Sequence, residues 1–431
     1  MKSWWLGGLL YFSIAGRAAI PVGGWLESNI NKVMSATEPQ TVLVRLKRRQ
    51  KEVQIKGYGL QKEKGLRFVA SSSGFNHVTV KLSQLKEHPL WQLSWNEGRR
   101  EQFVGKKLQI KGSSLSISGE TVPKSLHLMA RSDGMIGVIA ELSIEEYLAG
   151  VLPEEMPALW PIEALKAQAI VSRTYTLFQL QQRRQQDFHV ESTVLDQVYK
   201  HKQPSLELLP GQQRVQRALR ETTGVILKDT EGQYFPAYYH ADCGGKTEEP
   251  KNVWGNGLKL GTVMDESCPL SPHGRWQKSL TWSQIKKYWP LKKASDEWIS
   301  LSISKRTPSG RVRLVQLQSQ WGETLNIDSQ TFRRKVGFHK IKSTLFYIES
   351  EKKSVVVFGQ GHGHGVGMCQ YGARFLAGRG LSYQKILKHY YPKAVIFEPL
   401  LLQDQMFEKN FGSMYPSISI QSYGPSVPKG Y

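Results

Sequence analysis

Hydrophobic and polar residues alternate through much of residues 41–150, in runs such as TVLVRLKR, VQIKGYG, VTVKL, LQIKG and MIGVIAEL. A period of two, punctuated by Gly, Ser and Asn, predicts antiparallel strands with one buried face. After that stretch the period lengthens. Pro161 heads a helix expected to run to about Gln182, because proline suits the first helical turn. Its apolar stripe is Ala164, Ala167, Val171, Tyr175 and Phe178, in three- and four-residue steps. Lys166 and Arg173 fall near one face of that helix and are expected to point together towards a site. A second helix, over about 215–222, should stop at Gly224. VIL and YFPAYYH read as a hairpin across 229–233, LFYIE and SVVVFG as strands, and 383–390 as a last helix ending before Pro392. Residues 276–340 predict shorter elements around a core of Trp276, Trp282, Trp289, Trp298 and Trp321. The fold class is therefore α+β, with a β-rich antiparallel part over 40–140 and a mixed helix/strand region over 141–395.

The two ends read differently. One lysine precedes an apolar run from Trp4 to Ala15, too short to span a bilayer comfortably, with small residues at Ser13 and Ala15. Residues 1–25 thus predict a signal peptide or an N-terminal anchor and an extracytoplasmic protein whose membrane association runs only through that segment. Residues 400–431 are rich in Ser, Pro and Gly and predict a flexible tail.

Composition narrows the picture further. With 40% hydrophobic and 22% charged residues the chain is neither disordered nor a polytopic membrane protein, and three cysteines exclude a disulfide-dense miniprotein. A formal net charge of +22 calls for an anionic partner. Neither a helix-turn-helix nor a zinc-finger spacing is present, which sets nucleic acid aside.

Three stretches carry chemistry. In LPEEMPALWP, Glu154 and Glu155 stand between Pro153 and Pro157, beside Leu152, Met156 and Trp160. A carboxyl partly withdrawn from water there gains proton affinity and suits general acid work. The plainer alternative is a pair of acids favouring the positive start of the next helix. In YYHADCGGKT, His240 and Cys243 form an H-x-x-C pair, with Cys268 further along. These are zinc-type ligands, the fourth falling to His273 or water, or else Cys243 and Cys268 form a disulfide. In GQGHGHGVGMCQYGA, His362 and His364 share a face if the chain is extended, and the glycines allow close backbone approach. The stretch is neither a Walker loop nor an H-E-x-x-H helix.

Taken together, these stretches resemble the SpoIID/LytB family. Its pattern Y-L-x-G-V-x-P-x-E-M-P-x-x-W-P-x-E-A-L-K-A-Q-A, followed by R-T-Y, is met from Tyr147 through Glu155, Trp160, Lys166 and Gln168 to Arg173 and Tyr175. The D-Q-x-Y element is met at Asp196, Gln197 and Tyr199. The glycine-rich C-G-G element starts at Cys243, and G-H-G-V-G-M-S-Q-x-G-A runs from Gly363 to Ala373 with Cys369 in place of the family's serine. The resemblance covers about residues 140–395.

The resemblance implies a peptidoglycan lytic transglycosylase, acting on peptide-stripped glycan strands at the bond between N-acetylmuramic acid and N-acetylglucosamine and leaving 1,6-anhydromuramyl ends. It implies Glu155 as the general acid and base. Lys166, Gln168, Arg173, Gln197, Tyr199, His364, Gln370 and Tyr371 are the candidate substrate contacts. Some family members bind zinc through histidines and cysteines that include an H-x-x-C, which matches His240 and Cys243 and places no further ligand. With Cys268 from the reading above, these are the candidate ligands of a structural zinc that the chemistry itself does not require. Cys369 is read as a small side chain replacing serine and not as a ligand. Glycan strands, and in LytB-type members a cell-wall amidase, are the implied partners, in sporulation or division. The alternative is a non-enzymatic, glycan-binding enhancer of an N-acetylmuramoyl-L-alanine amidase.

Overall fold

The alternating runs of the N-terminal part pair into one extended sheet. The computed structural model describes residues 41–398, apart from 65–66, 71–74, 86–87, 202–208, 256, 258, 267–270, 273 and 294. The predicted leader, the predicted tail, Cys268 and His273 therefore lie outside the described residues. In chain order the sheet holds β1 (Thr41–Gln50), β2 (Glu52–Lys64), β3 (Arg67–Ala70), β4 (Phe75–Leu85), β5 (His88–Trp95) and β6 (Arg100–Val104). It continues with β7 (Lys107–Ile117), β8 (Glu120–Thr121), β9 (Ser125–Ala130), β10 (Ile136–Ser143) and β11 (Val190–Glu191). The spatial order is β11-β1-β10-β9-β7-β2-β4-β5-β6, antiparallel except where β11 joins β1. Val42 and Val44, Val53 and Ile55, Val78 and Val80, and Leu108 and Ile110 face the core at the two-residue period that the sequence predicted. Strand β10 is buried on both faces because helices cover it as well.

Strand β10 turns directly into α1 (Ile144–Glu155). Ser143 and Glu146 form a reciprocal capping box there, the Ser143 hydroxyl accepting from the Glu146 N–H and the Glu146 carboxylate from the Ser143 N–H. Helix α2 (Ile162–Gln182) follows, buried without a break from Ala167 to Leu177. Its small and polar residues let α1, α3 (Pro210–Glu221), α7 (Gln370–Gly378) and α8 (Tyr383–Tyr390) pack around it. The helices predicted at 161–182, 215–222 and 383–390 are thus present, and α+β is the fold class.

The expected hairpin across 229–233 does not form. Strand β12 (Ile226–Lys228) pairs instead with β21 (Val395–Phe397). Of YFPAYYH only β13 (Tyr239–His240) is extended, running parallel to β20 (Met368–Cys369). Pro236, lacking an N–H, interrupts the segment before it can pair as a ladder.

Residues 276–357 build a lobe with its own core. Strands β14 (Trp276–Thr281), β19 (Ser354–Gly359) and β18 (Phe346–Ser350) make one three-stranded sheet, and β15 (Trp298–Arg306), β16 (Val312–Ser319) and β17 (Thr324–Asp328) another. Helices α5 (Trp282–Tyr288) and α6 (Ser329–Val336) pack with them over Trp289, Trp298, Phe332 and Phe346. Trp276, Trp289 and Trp298 are core as expected, and Trp282 packs at its edge. Trp321, in the turn between β16 and β17, is 77% exposed, contrary to its expected place in the core. The lobe is fastened to the main body by buried Arg311, which donates to the Cys243 carbonyl, and by Thr307 and Ser309, which donate to Glu248. The short helix α4 (Pro250–Trp254) lies at this junction, its Asn252 carbonyl accepting from Arg313. Among the described residues no helix is long and apolar enough to cross a membrane.

Candidate active site

Helix α1 ends on Glu155, and the adjacent carboxylates part company there. Glu154 pairs with Lys200 at 2.7 Å, whereas Glu155 turns into a cavity of about 500 Å³. Both stand at the end of α1, where the helix dipole is negative, so favouring the start of the next helix does not account for them. Burial pushes the Glu155 carboxyl above its ordinary value. The Val198 N–H, donating to Oε1 at 2.6 Å, and then the Tyr239 hydroxyl oppose that rise, and the Glu154 charge adds to it. No cation is among the groups that move it. The buried Tyr239 hydroxyl sits among Glu155, Ser172 and Gln197 without a well-formed hydrogen bond.

The same cavity has an aromatic and imidazole-rich wall. Tyr238 and Trp254 stack at 4.4 Å, and the His364 ring lies 5.2 Å from Trp254 and 5.6 Å from His240. His364 accepts from the Val366 N–H on Nδ1, and burial holds it well below the usual histidine range, so it faces the cavity uncharged. His362 and His364 both line the cavity, although the chain between them bends at Gly363 and is not extended. The glycines allow close packing of the backbone. They bring the backbone against the HADC segment, where Asp242 and His362 bridge, and Gly363 also lines the cavity. Gly363 (φ 108°) has no room for a Cβ, which would lie 2.8 Å from the His240 Cβ. At Gly367 (φ 72°) a Cβ would lie 1.9 Å from the Tyr238 carbonyl.

Several expected substrate contacts are built into the frame instead. Arg173 is 2% exposed and held by both oxygens of Glu145, at 2.6 and 2.8 Å, and by the Val225 carbonyl, which takes it out of the cavity. Lys166 is clamped between Glu163 and Glu221. The two do share a face, but that face packs on α1 and α3. Gln168 and Gln197 are fully buried: Gln168 donates to Ser172 and accepts from Gln370, and Gln197 bridges Thr176 and the Ser172 carbonyl. Tyr199 stacks on Tyr147 and meets His201. Tyr371 packs edge-on against Trp160 in a separate hollow. Gln370 and His364 remain at the cavity wall, Gln370 also donating to the Glu155 carbonyl at 3.0 Å.

In the D-Q-x-Y element the atom that reaches the site is the backbone N–H of the variable residue, Val198. Asp196 fixes that loop, gripped by Arg183 at 2.7 Å and by the Tyr175 hydroxyl at 2.8 Å. Sequence reasoning also missed Arg333, Gln330 and Phe338, which the lobe brings to the same cavity. They belong to none of the recognised motifs, and no sequence signal pointed to them.

The candidate metal ligands regroup. His240, Cys243 and Cys369 place ligand atoms within 4.8 Å of one another, all buried. Cys369, taken from the sequence as an inert replacement for serine, thus stands where Cys268 was expected. The parallel pairing of β13 with β20 sets it directly beside His240. His240 engages the Val366 carbonyl through Nδ1, and its buried Nε2 has no partner among the described residues, the arrangement of a histidine ready to ligate. The Cys369 sulfur accepts from the Cys243 and Gly372 N–H groups and donates to the Ala241 carbonyl, while the Cys243 thiol donates to Asp265. The residues present therefore fit a zinc ion. The Cys243–Cys268 disulfide alternative falls outside the described residues.

The comparisons with known proteins place the chain in a family. A family model described as SpoIID, Stage II sporulation protein, matches residues 132–228, which hold α1, α2 and the Val198 loop. An uncharacterized protein of Brachyspira hyodysenteriae is 34% identical over 274 residues, covering 62% of this chain and 70% of that protein. The chain belongs to the SpoIID/LytB family. This family member is also 28% identical to Stage II sporulation protein D of Bacillus subtilis, over 60% of its own length and 76% of the relative's. To the Bacillus subtilis amidase enhancer it is 28% identical, covering 57% of its own length and 39% of that protein. A domain of unknown function matches residues 263–367, the lobe of this SpoIID-family chain. Its role is cell-wall-related, as the family's is.

Proposed function

We propose that this chain is an extracytoplasmic lytic transglycosylase that cleaves the β-1,4 bond between N-acetylmuramic acid and N-acetylglucosamine in peptidoglycan. One observation carries the reading: among the described residues the cavity is lined by two carboxyl groups, and only one of them is available. Asp196 is tied to Arg183, Tyr175 and the Glu191 N–H, whereas Glu155 accepts a single backbone hydrogen bond and is held towards its protonated form. Hydrolytic glycosidases use a pair of carboxyls, but an intramolecular displacement needs one. Glu155, with Oε1 held by Val198, protonates the leaving glycosidic oxygen from its other oxygen. As carboxylate it then takes the proton of the muramyl 6-hydroxyl as that oxygen closes on C1. The sum is one C–O bond broken, one formed and the proton returned, with a 1,6-anhydromuramyl end as product. Tyr238, Trp254 and His364 supply flat faces for sugar rings.

The His240, Cys243 and Cys369 cluster is proposed to hold a structural zinc, which would tie β13 to the start of α7. The relative named an amidase enhancer favours a second reading, in which the chain binds glycan and stimulates an amidase without cutting. Mass spectrometry of peptide-stripped strands digested with the protein and with Glu155→Gln decides between them. Anhydromuramyl ends from the parent alone support the transglycosylase, and strands bound but uncut by both support the enhancer.

A further inference from the structure

Arg333 is a buried charge without a counter-ion. It sits on α6, is 4% exposed and lines the cavity that holds Glu155. Every partner it has is neutral: Nε donates to the Ile341 carbonyl at 2.9 Å, Nη2 to the Lys342 carbonyl at 2.7 Å and Nη1 to the Gln330 side chain at 3.3 Å. Its guanidinium lies over the Phe338 ring, 5.0 Å from the centroid. Among the described residues no carboxylate reaches it. Burial draws its pKa down to about 10, with the neighbouring Arg311 acting in the same sense. A guanidinium buried on carbonyl dipoles alone is left with unmet charge, which a planar anion entering from the cavity can satisfy. That charge is felt elsewhere in the cavity, where Arg333 is one of the groups that lower the pKa of His364.

We infer that the lobe of residues 276–357 is the selective wall of this site: Arg333 receives a carboxylate of the sugar bound against Glu155, so that the cavity prefers chains bearing lactyl carboxylates to neutral β-1,4-linked N-acetylglucosamine. The inference rests on the glycan reading of the Glu155 cavity. It gives the lobe a task that the Glu155 and Val198 machinery does not perform. That machinery handles a glycosidic bond common to both polymers, while the lobe reads the acidic substituent of only one.

Calorimetry with the full chain carrying Glu155→Gln tests it, using three peptide-free probes: the N-acetylglucosaminyl–N-acetylmuramyl tetrasaccharide, its lactyl methyl ester and chitotetraose. The acid should bind at least about tenfold more tightly than the ester or chitotetraose, the usual scale for a charge-assisted pair. Adding Arg333→Gln should erase that preference by weakening the acid alone, and Arg333→Lys should keep part of it. Equal binding of acid and ester at unaltered Arg333, or a preference that survives Arg333→Gln, overturns the inference. Should Arg333→Gln fail to fold, the acid-to-ester ratio decides without any substitution at that position. If none of the three sugars binds, the glycan reading falls and takes the inference with it. If all three bind equally, the glycan reading stands and the inference alone is lost.

Discussion

Glu155 is the residue at which stability and chemistry pull apart. Because burial raises its native pKa above the ordinary carboxyl value, the native state holds more protons than the unfolded chain between those two values. Stability therefore falls as pH rises through that window and stays lower above it. Glu155→Gln removes the buried charge while keeping an oxygen for the Val198 N–H. It should melt higher than the parent near neutral pH, match it below about pH 4, and lose at least about 100-fold of strand cleavage. Melting curves at both pH values, alongside product analysis, check the pair of effects. A variant that melts lower at neutral pH would contradict the account of the carboxyl. Arg173 makes the opposite case. Arg173→Met strands the Glu145 carboxylate in the interior and should destabilise by about 3–5 kcal/mol. The KM of whatever folds should be unchanged, whereas a raised KM with stability intact would return Arg173 to the substrate.

The elements show why some of this was legible in the sequence and some was not. The strands of residues 41–143 declare themselves by their two-residue period, since each hides one face. Helix α1 went unread because Gly150 and Pro153 are poor helix formers, yet its start is spelled out by the Ser143-x-x-Glu146 capping box. Gly150 is there because a Cβ would lie 2.4 Å from the Tyr199 ring, a tertiary constraint that no local pattern reveals. The Lys166 and Arg173 spacing placed both on one face of α2 correctly, but which neighbour that face meets is decided by the packing of α1 and α3. The metal cluster failed in the same way, because the partner of His240 comes through a parallel pairing of two two-residue strands far apart in sequence. It yields a prediction at this scale. Purified protein should carry about one zinc per chain by elemental analysis, as a His/Cys site of this kind takes. Cys369→Ser should lose most of that zinc and melt lower, and full zinc in that variant would remove Cys369 from the ligand set.

At the scale of the whole molecule, two cores are joined across one cavity. The body supplies Glu155 and its clamp, and the lobe supplies Arg333. Hydrophobic periodicity does not mark their boundary, because the strands of the lobe alternate like those of the body, and it is the separate family match over residues 263–367 that sets the lobe apart. The net charge of +22 belongs to this scale too, and it acts differently from Arg333. Exposed charge steers an anionic polymer over distances that salt screens, the Debye length being about 10 Å at 0.1 M, whereas a buried contact is screened far less. Raising sodium chloride from about 50 to about 500 mM should therefore lower kcat/KM on peptide-stripped strands several-fold while leaving kcat nearly constant. The preference for acid over ester in short probes, set by the buried guanidinium, should change little over the same range. Steady-state kinetics across a salt series separates the two. A fall in kcat with KM unchanged would mean that salt acts at the Glu155 cavity itself, and the surface charge would then have no part in bringing the strand to it.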